Sequence, residues 1–121
     1  METREQPKDP RIEHFWAQYA DTLKLFRIPE RTLPWYRMYI QIFIDEHPDT
    51  RLKEHAVETV ETWLGKLGRS PHINEWQFRQ KVDALRLLFC HFLKMPWGNH
   101  LDWDLWLSGA KSLGANHPTV A

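Results

Sequence analysis

The side chains best suited to chemistry in this sequence lie between residues 64 and 94. Gln77, Arg79, Gln80 and Lys81 offer amide and cationic donors of the kind that pair with phosphate oxygens and base edges. The plainer alternative for the same residues is an ordinary solvated helix face. Residues 64–94 contain six bases and two acids, a net of +4, whereas residues 45–63 contain six acids and two bases, a net of −4. The 121-residue chain has a formal net charge of zero. Any attraction for a polyanion therefore rests on this zoning and not on total charge.

Other chemistries find less material. Of the seven histidines, no two stand four apart as a helical metal pair, and a single cysteine cannot make a zinc knuckle. No metal and no cofactor is expected. The five glycines are too dispersed for a phosphate loop. Cys90, between Phe89 and His91 in an apolar helical run, reads as an inert thiol. It has no internal disulfide partner, which suits a reduced, intracellular setting. Glu58, Glu61 and Asp83 could pair across helices, but a solvated acidic face is the simpler reading. The chain is expected to be non-enzymatic on its own.

The elements that must position these groups are helical. Ile12, Phe15, Trp16, Tyr19, Leu23 and Phe26 recur at three- and four-residue spacing after Pro10, a residue suited to a first helical turn. Pro29 breaks that helix. Thr32 is placed to cap a second, whose stripe is Trp35, Tyr36, Tyr39, Ile40, Phe43 and Ile44. A third is expected over about 53–67, with Ala56, Val57, Val60, Leu64 and Leu67 inward and Gly68 just past its end. Asn74 caps a long fourth helix to about residue 94, seamed by Phe78, Val82, Leu85, Phe89 and Phe92 and widened by Leu88 and Leu93, with Gln77, Arg79, Gln80, Lys81 and Asp83 mostly outside. A short last helix over about 101–113 carries Trp103, Trp106, Leu107 and Ala110. The expectation is an all-α, compact bundle of four to five helices over 10–113, between tails at 1–9 and 114–121. No apolar run approaches the roughly 18 residues of a membrane span, and the polar N-terminus is not a signal peptide.

The order of motifs resembles the core-binding, SAM-like domain of tyrosine recombinases, and among them integron integrases most. Residues 31–44 read R-T-x-x-x-Y-x-x-Y-I-x-x-F-I, like that domain's opening helix. FIDEHP at 43–48 is similar to its helix end, and Val60, Trp63, Leu64 and Leu67 to the following helix. Ala84-Leu85 and LLFCHFLKMPWG at 87–98 resemble its long helix. The likeness spans residues 12 to about 107. It implies one half of a C-shaped clamp around double-stranded DNA, serving site-specific integration and recombination. The other half would be a C-terminal catalytic domain in cis, carrying arginines, histidines and a tyrosine expected outside this sequence. The basic linker usual between the halves is missing from the nearly uncharged residues 111–121.

By position, the resemblance places Arg31 and Thr32 on the DNA backbone, with Arg37 on the same helix. It sets Gln77, Arg79, Gln80 and Lys81 toward the groove. Lys66, Arg69 and His72 extend a phosphate-binding rim, where an imidazole adds charge below roughly its ordinary pKa of 6.5. Trp97, Trp103 and Trp106 either pack the last helix or dock a catalytic domain or a neighbouring protomer of a recombination tetramer. A protein of this kind would work in the bacterial cytoplasm, on the nucleoid. The competing class is a helical protein-interaction module that uses the Trp-rich C-terminal helix and binds no DNA.

Overall fold

The computed structural model describes residues 9–109, and among them every regular element is a helix or a helical turn. The expected tails at 1–9 and 114–121 lie almost wholly outside the described residues, as does Ala110. The elements are α1 (Pro10–Leu25), α2 (Leu33–Asp45), α3 (Val57–Gly68), α4 (Glu75–Arg86) and α5 (Trp103–Gly109). α4 continues without a break into a π-helical segment, Leu87–Phe92, and short 3-10 turns occupy Glu30–Thr32 and Leu52–Glu54.

α1 starts as its sequence dictates. The Asp9 carboxylate accepts from the Arg11 amide at 2.9 Å, and Pro10 fills the first turn. Trp16, Tyr19 and Leu23 face inward, while Ile12 and Phe26, which share their spacing, are exposed. The helix stops before Pro29. Arg27 turns left-handed (φ 63°), and the Ile28 amide reaches back to the Leu23 carbonyl at 3.0 Å, closing a Schellman-type end. Glycine is the usual residue there, because a Cβ costs about 1–2 kcal/mol in that conformation. Arg27→Gly is therefore expected to stabilise the fold by roughly 1 kcal/mol, read as a higher denaturation midpoint at unchanged slope.

Two helix starts differ from the sequence expectation. Thr32 does not cap α2: its hydroxyl donates back to the Pro29 carbonyl at 2.7 Å, closing the 3-10 turn that leads into the helix. α3 begins at Val57, four residues late. Arg51 donates its amide to the Glu54 carboxylate at 3.2 Å, which closes a separate turn; His55 is then buried and Ala56 stands extended and exposed. Gly68 is still helical and buried, and Arg69 ends the helix with an amide bond to the Gly65 carbonyl. α4 starts where expected. Asn74 and Gln77 cap one another reciprocally, at 3.1 and 3.2 Å.

The core forms where α2 crosses α4. Phe43, fully buried, is its hub, with the rings of His47, His55, Trp63 and Phe89 at 4.4, 4.9, 5.1 and 5.8 Å. The π segment makes a wider turn, with the Leu93 amide bonded to the Leu88 carbonyl at 2.7 Å. That width lets three consecutive residues, Leu87, Leu88 and Phe89, be fully buried. Lys94 (φ 53°) then turns the chain away. All three tyrosines anchor α4: Tyr19 donates to the Ala84 carbonyl at 2.8 Å, Tyr36 to Asp83 at 2.9 Å and Tyr39 to Gln80 at 2.7 Å. No helix among the described residues is long and apolar enough to cross a membrane.

Candidate nucleic-acid interface

The corner between α3 and α4 is built by two helix ends and a six-residue link, 69–74. α3 delivers Lys66 and Arg69 to its exposed end, and His72 follows in the link. The Asn74–Gln77 cap fixes the first turn of α4. Phe78, Val82 and Leu85 point fully into the core, which turns Trp76 and Arg79 outward; Trp76 is 58% exposed. The corner thus presents Lys66, Arg69, His72 and Arg79 to solvent, with Glu75 exposed between His72 and Arg79 in the sequence. Lys66 also lines a shallow groove with Glu46 and Glu58, so two carboxylates sit beside its charge.

Three residues expected on the outer face of α4 are turned toward neighbouring side chains instead. Gln80 accepts the Tyr39 hydroxyl, and Asp83 accepts both the Tyr36 hydroxyl and the Arg86 guanidinium, at 2.9 and 2.7 Å. Lys81 lies over the Tyr39 ring at 4.4 Å, and burial pushes its ammonium below the usual lysine range despite the opposing pull of Glu46. The reason is geometric. These residues flank the apolar seam, and α2 crosses widely enough to cover the flank as well. Gln77 is half-buried, its carbonyl engaged in the cap.

The remaining candidates lie in the turn before α2 and on α2. Arg31 is exposed in the Glu30–Thr32 turn, while Thr32 is half-buried with its hydroxyl proton directed to Pro29. Arg37 stacks over the Trp16 ring at 4.9 Å, in an open groove between α1 and α2 that Glu13 and Glu30 also line. The cations are therefore divided between the α2 entrance and the α3–α4 corner.

The Trp group resolves toward packing. Trp103 and Trp106 are only 7% and 6% exposed. Trp103 donates its indole N–H to the Gly98 carbonyl at 2.7 Å, and Trp106 packs on Phe78 at 6.2 Å. Half-buried Trp97 donates to the His55 carbonyl at 2.9 Å and packs on Phe89. Of the two readings of these three residues, the burial of Trp103 and Trp106 supports packing. The indoles more than half exposed are Trp35, at 53%, and Trp76, at 58%. Trp35 is expected in the α2 stripe, but it sits on a flank that no helix among the described residues covers. An outward apolar pair, Trp35 and Met38, results.

Cys90 is half-buried, with its thiol 3.1 Å from the Gly98 carbonyl, and burial pushes the thiol up and away from the reactive thiolate. No group of three or more His, Cys, Asp or Glu converges on a possible metal position among the described residues. No family model, curated protein or solved structure matches the chain.

Proposed function

We propose that this chain is a duplex-DNA grip of the tyrosine-recombinase core-binding kind, holding DNA at a crossover site while a separate catalytic domain acts on it. The observation that carries this reading is the exposed run Lys66, Arg69, His72 and Arg79 around the α3–α4 corner. Cations spaced along a helix end, the following link and the start of the next helix can follow a phosphate backbone, and such contacts position a protein without reading sequence. With Gln80 and Lys81 engaged inside, base reading has less material than backbone gripping. An isolated module of this kind binds duplex at roughly 10⁻⁴ to 10⁻⁶ M near physiological salt.

The test is a fluorescence anisotropy titration of a short duplex at several salt concentrations, with the parent and a Lys66→Ala/Arg69→Ala/Arg79→Ala variant. The variant is expected to bind weakly and with a salt slope smaller by about 2–3, while its helical circular dichroism is unchanged. Equal binding by a folded variant overturns the assignment of this face. A second reading, a protein-interaction module, is favoured by the exposed Trp35 and Met38 one turn apart on α2. It requires no DNA binding by the parent even at low salt, together with self-association or partner capture that Trp35→Ala abolishes.

A further inference from the structure

The segment between α2 and α3 is closed by a side chain that the DNA-gripping reading does not use. His55 is 4% exposed, and its Nε2 is the buried side-chain nitrogen or oxygen among the described residues that has no hydrogen-bond partner. Its ring stands edge-on to Phe43 at 4.9 Å, to His47 at 5.1 Å and to Phe89 at 6.3 Å. Its backbone carbonyl receives the Trp97 indole, so the same residue ties the 3-10 turn Leu52–Glu54 to the loop after the π segment. His47 lies 2.7 Å by its Nδ1 from the Phe43 carbonyl, which can only accept, so that nitrogen carries a proton.

We infer that His55 and His47 form an acid-released latch that holds the α2–α3 link and the start of α3 against the core. The geometry permits only the neutral ring at His55. A protonated imidazole would bury a second donor with no acceptor, next to another imidazole. Burial first, and His47 second, hold its pKa below the usual 6.5, with Glu54 opposing. These are the titratable groups acting on it. α2 contributes the uncharged Phe43, the link after it His47, the 3-10 turn Glu54, and the π segment and following loop Phe89 and Trp97, while His47 itself lines a groove with Glu46, Glu58 and Lys66. A histidine whose folded-state pKa is lowered supports the fold fully above its unfolded value near 6.5, and that support disappears as the pH falls through and below it. α3 leads to Lys66 and Arg69, so release of its start loosens the platform under the corner.

The experiment is amide hydrogen exchange of the whole chain at a series of pH values from about 7.5 to 5, corrected for intrinsic rates. It is paired with a proton NMR titration of the histidine rings. Protection in residues 52–60 is expected to fall on acidification before protection in residues 78–89 does. His55 should not follow an ordinary titration curve in the folded state. His55→Phe should hold residues 52–60 protected into acid, and His47→Gln should move the loss to lower pH. An ordinary His55 titration near 6.5 with protection intact overturns the latch, as does equal and simultaneous loss of protection throughout the chain. If His55→Phe does not fold, the exchange series and ring titration on the parent decide the matter alone.

Discussion

Phe43→Ala is expected to lower the stability of the fold by about 3–5 kcal/mol, the cost of opening a large cavity in a close-packed core. The position justifies the upper part of that range. Phe43 is fully buried, and four rings from three different parts of the chain lie against it: His47 and His55 from the link, Trp63 from α3 and Phe89 from the π segment. Edge-to-face pairs add about 0.5–1.5 kcal/mol each beyond area burial. A domain of this size holds only about 5–15 kcal/mol in total. The variant is therefore expected to melt far below the parent and to unfold in part under mild denaturant. Urea titration followed by circular dichroism measures this directly. A loss under about 1 kcal/mol at unchanged slope would mean that the rings do not share one packed hub.

Trp103→Ala is expected to have a comparable effect, about 3–5 kcal/mol, for a different reason. α5 is described over Trp103–Gly109, and a helix near the end of a small bundle draws its stability from packing of its apolar face rather than from propensity. Its attachment depends on two indoles turned inward, and one of them bonds the Gly98 carbonyl that the Cys90 thiol also approaches. Removing Trp103 takes away the packing area and a buried donor together. If the Trp-rich end were a docking surface, the same substitution would leave the melting temperature in place and alter only association. A thermal melt with sedimentation analysis on one sample separates the two, and the burial of the ring predicts the first.

Much of the architecture was legible in the sequence. The start at Pro10, the Asn74 cap, and the inward sets Trp16, Tyr19 and Leu23 or Phe78, Val82 and Leu85 follow from spacing and capping chemistry alone, while the return bond from Gln77 emerges only in the structure. The candidate site was legible only in part. Periodicity assigns a residue an angle around its helix, not the width of the partner that will cover it. Gln80, Lys81 and Asp83 have angles that suit solvent, yet α2 crosses so that Tyr36 and Tyr39 reach over and engage them. Trp35 is the converse, an apolar residue at the margin of a stripe, left exposed among the described residues. The run Leu-Leu-Phe-Cys-His-Phe suits an α-helix and a π-helix equally, because both bury a continuous apolar segment. The late start of α3 turns on the Glu54 carboxylate closing its own small turn, a local competition that apolar spacing does not record.

The tyrosines carry a consequence for the chemistry of strand exchange. Cleavage and rejoining by a recombinase run through a phenol oxygen that attacks a phosphate, so that oxygen must be uncovered and able to lose its proton. All three phenols of this sequence are donors to α4, and burial pushes those of Tyr19, Tyr36 and Tyr39 upward, away from ionisation. None can become a nucleophile without dismantling the helix crossing that holds the domain together. On the proposed reading, these three phenols serve structure and not the covalent link to DNA. The phenols here act instead as fasteners, holding α1 and α2 to α4.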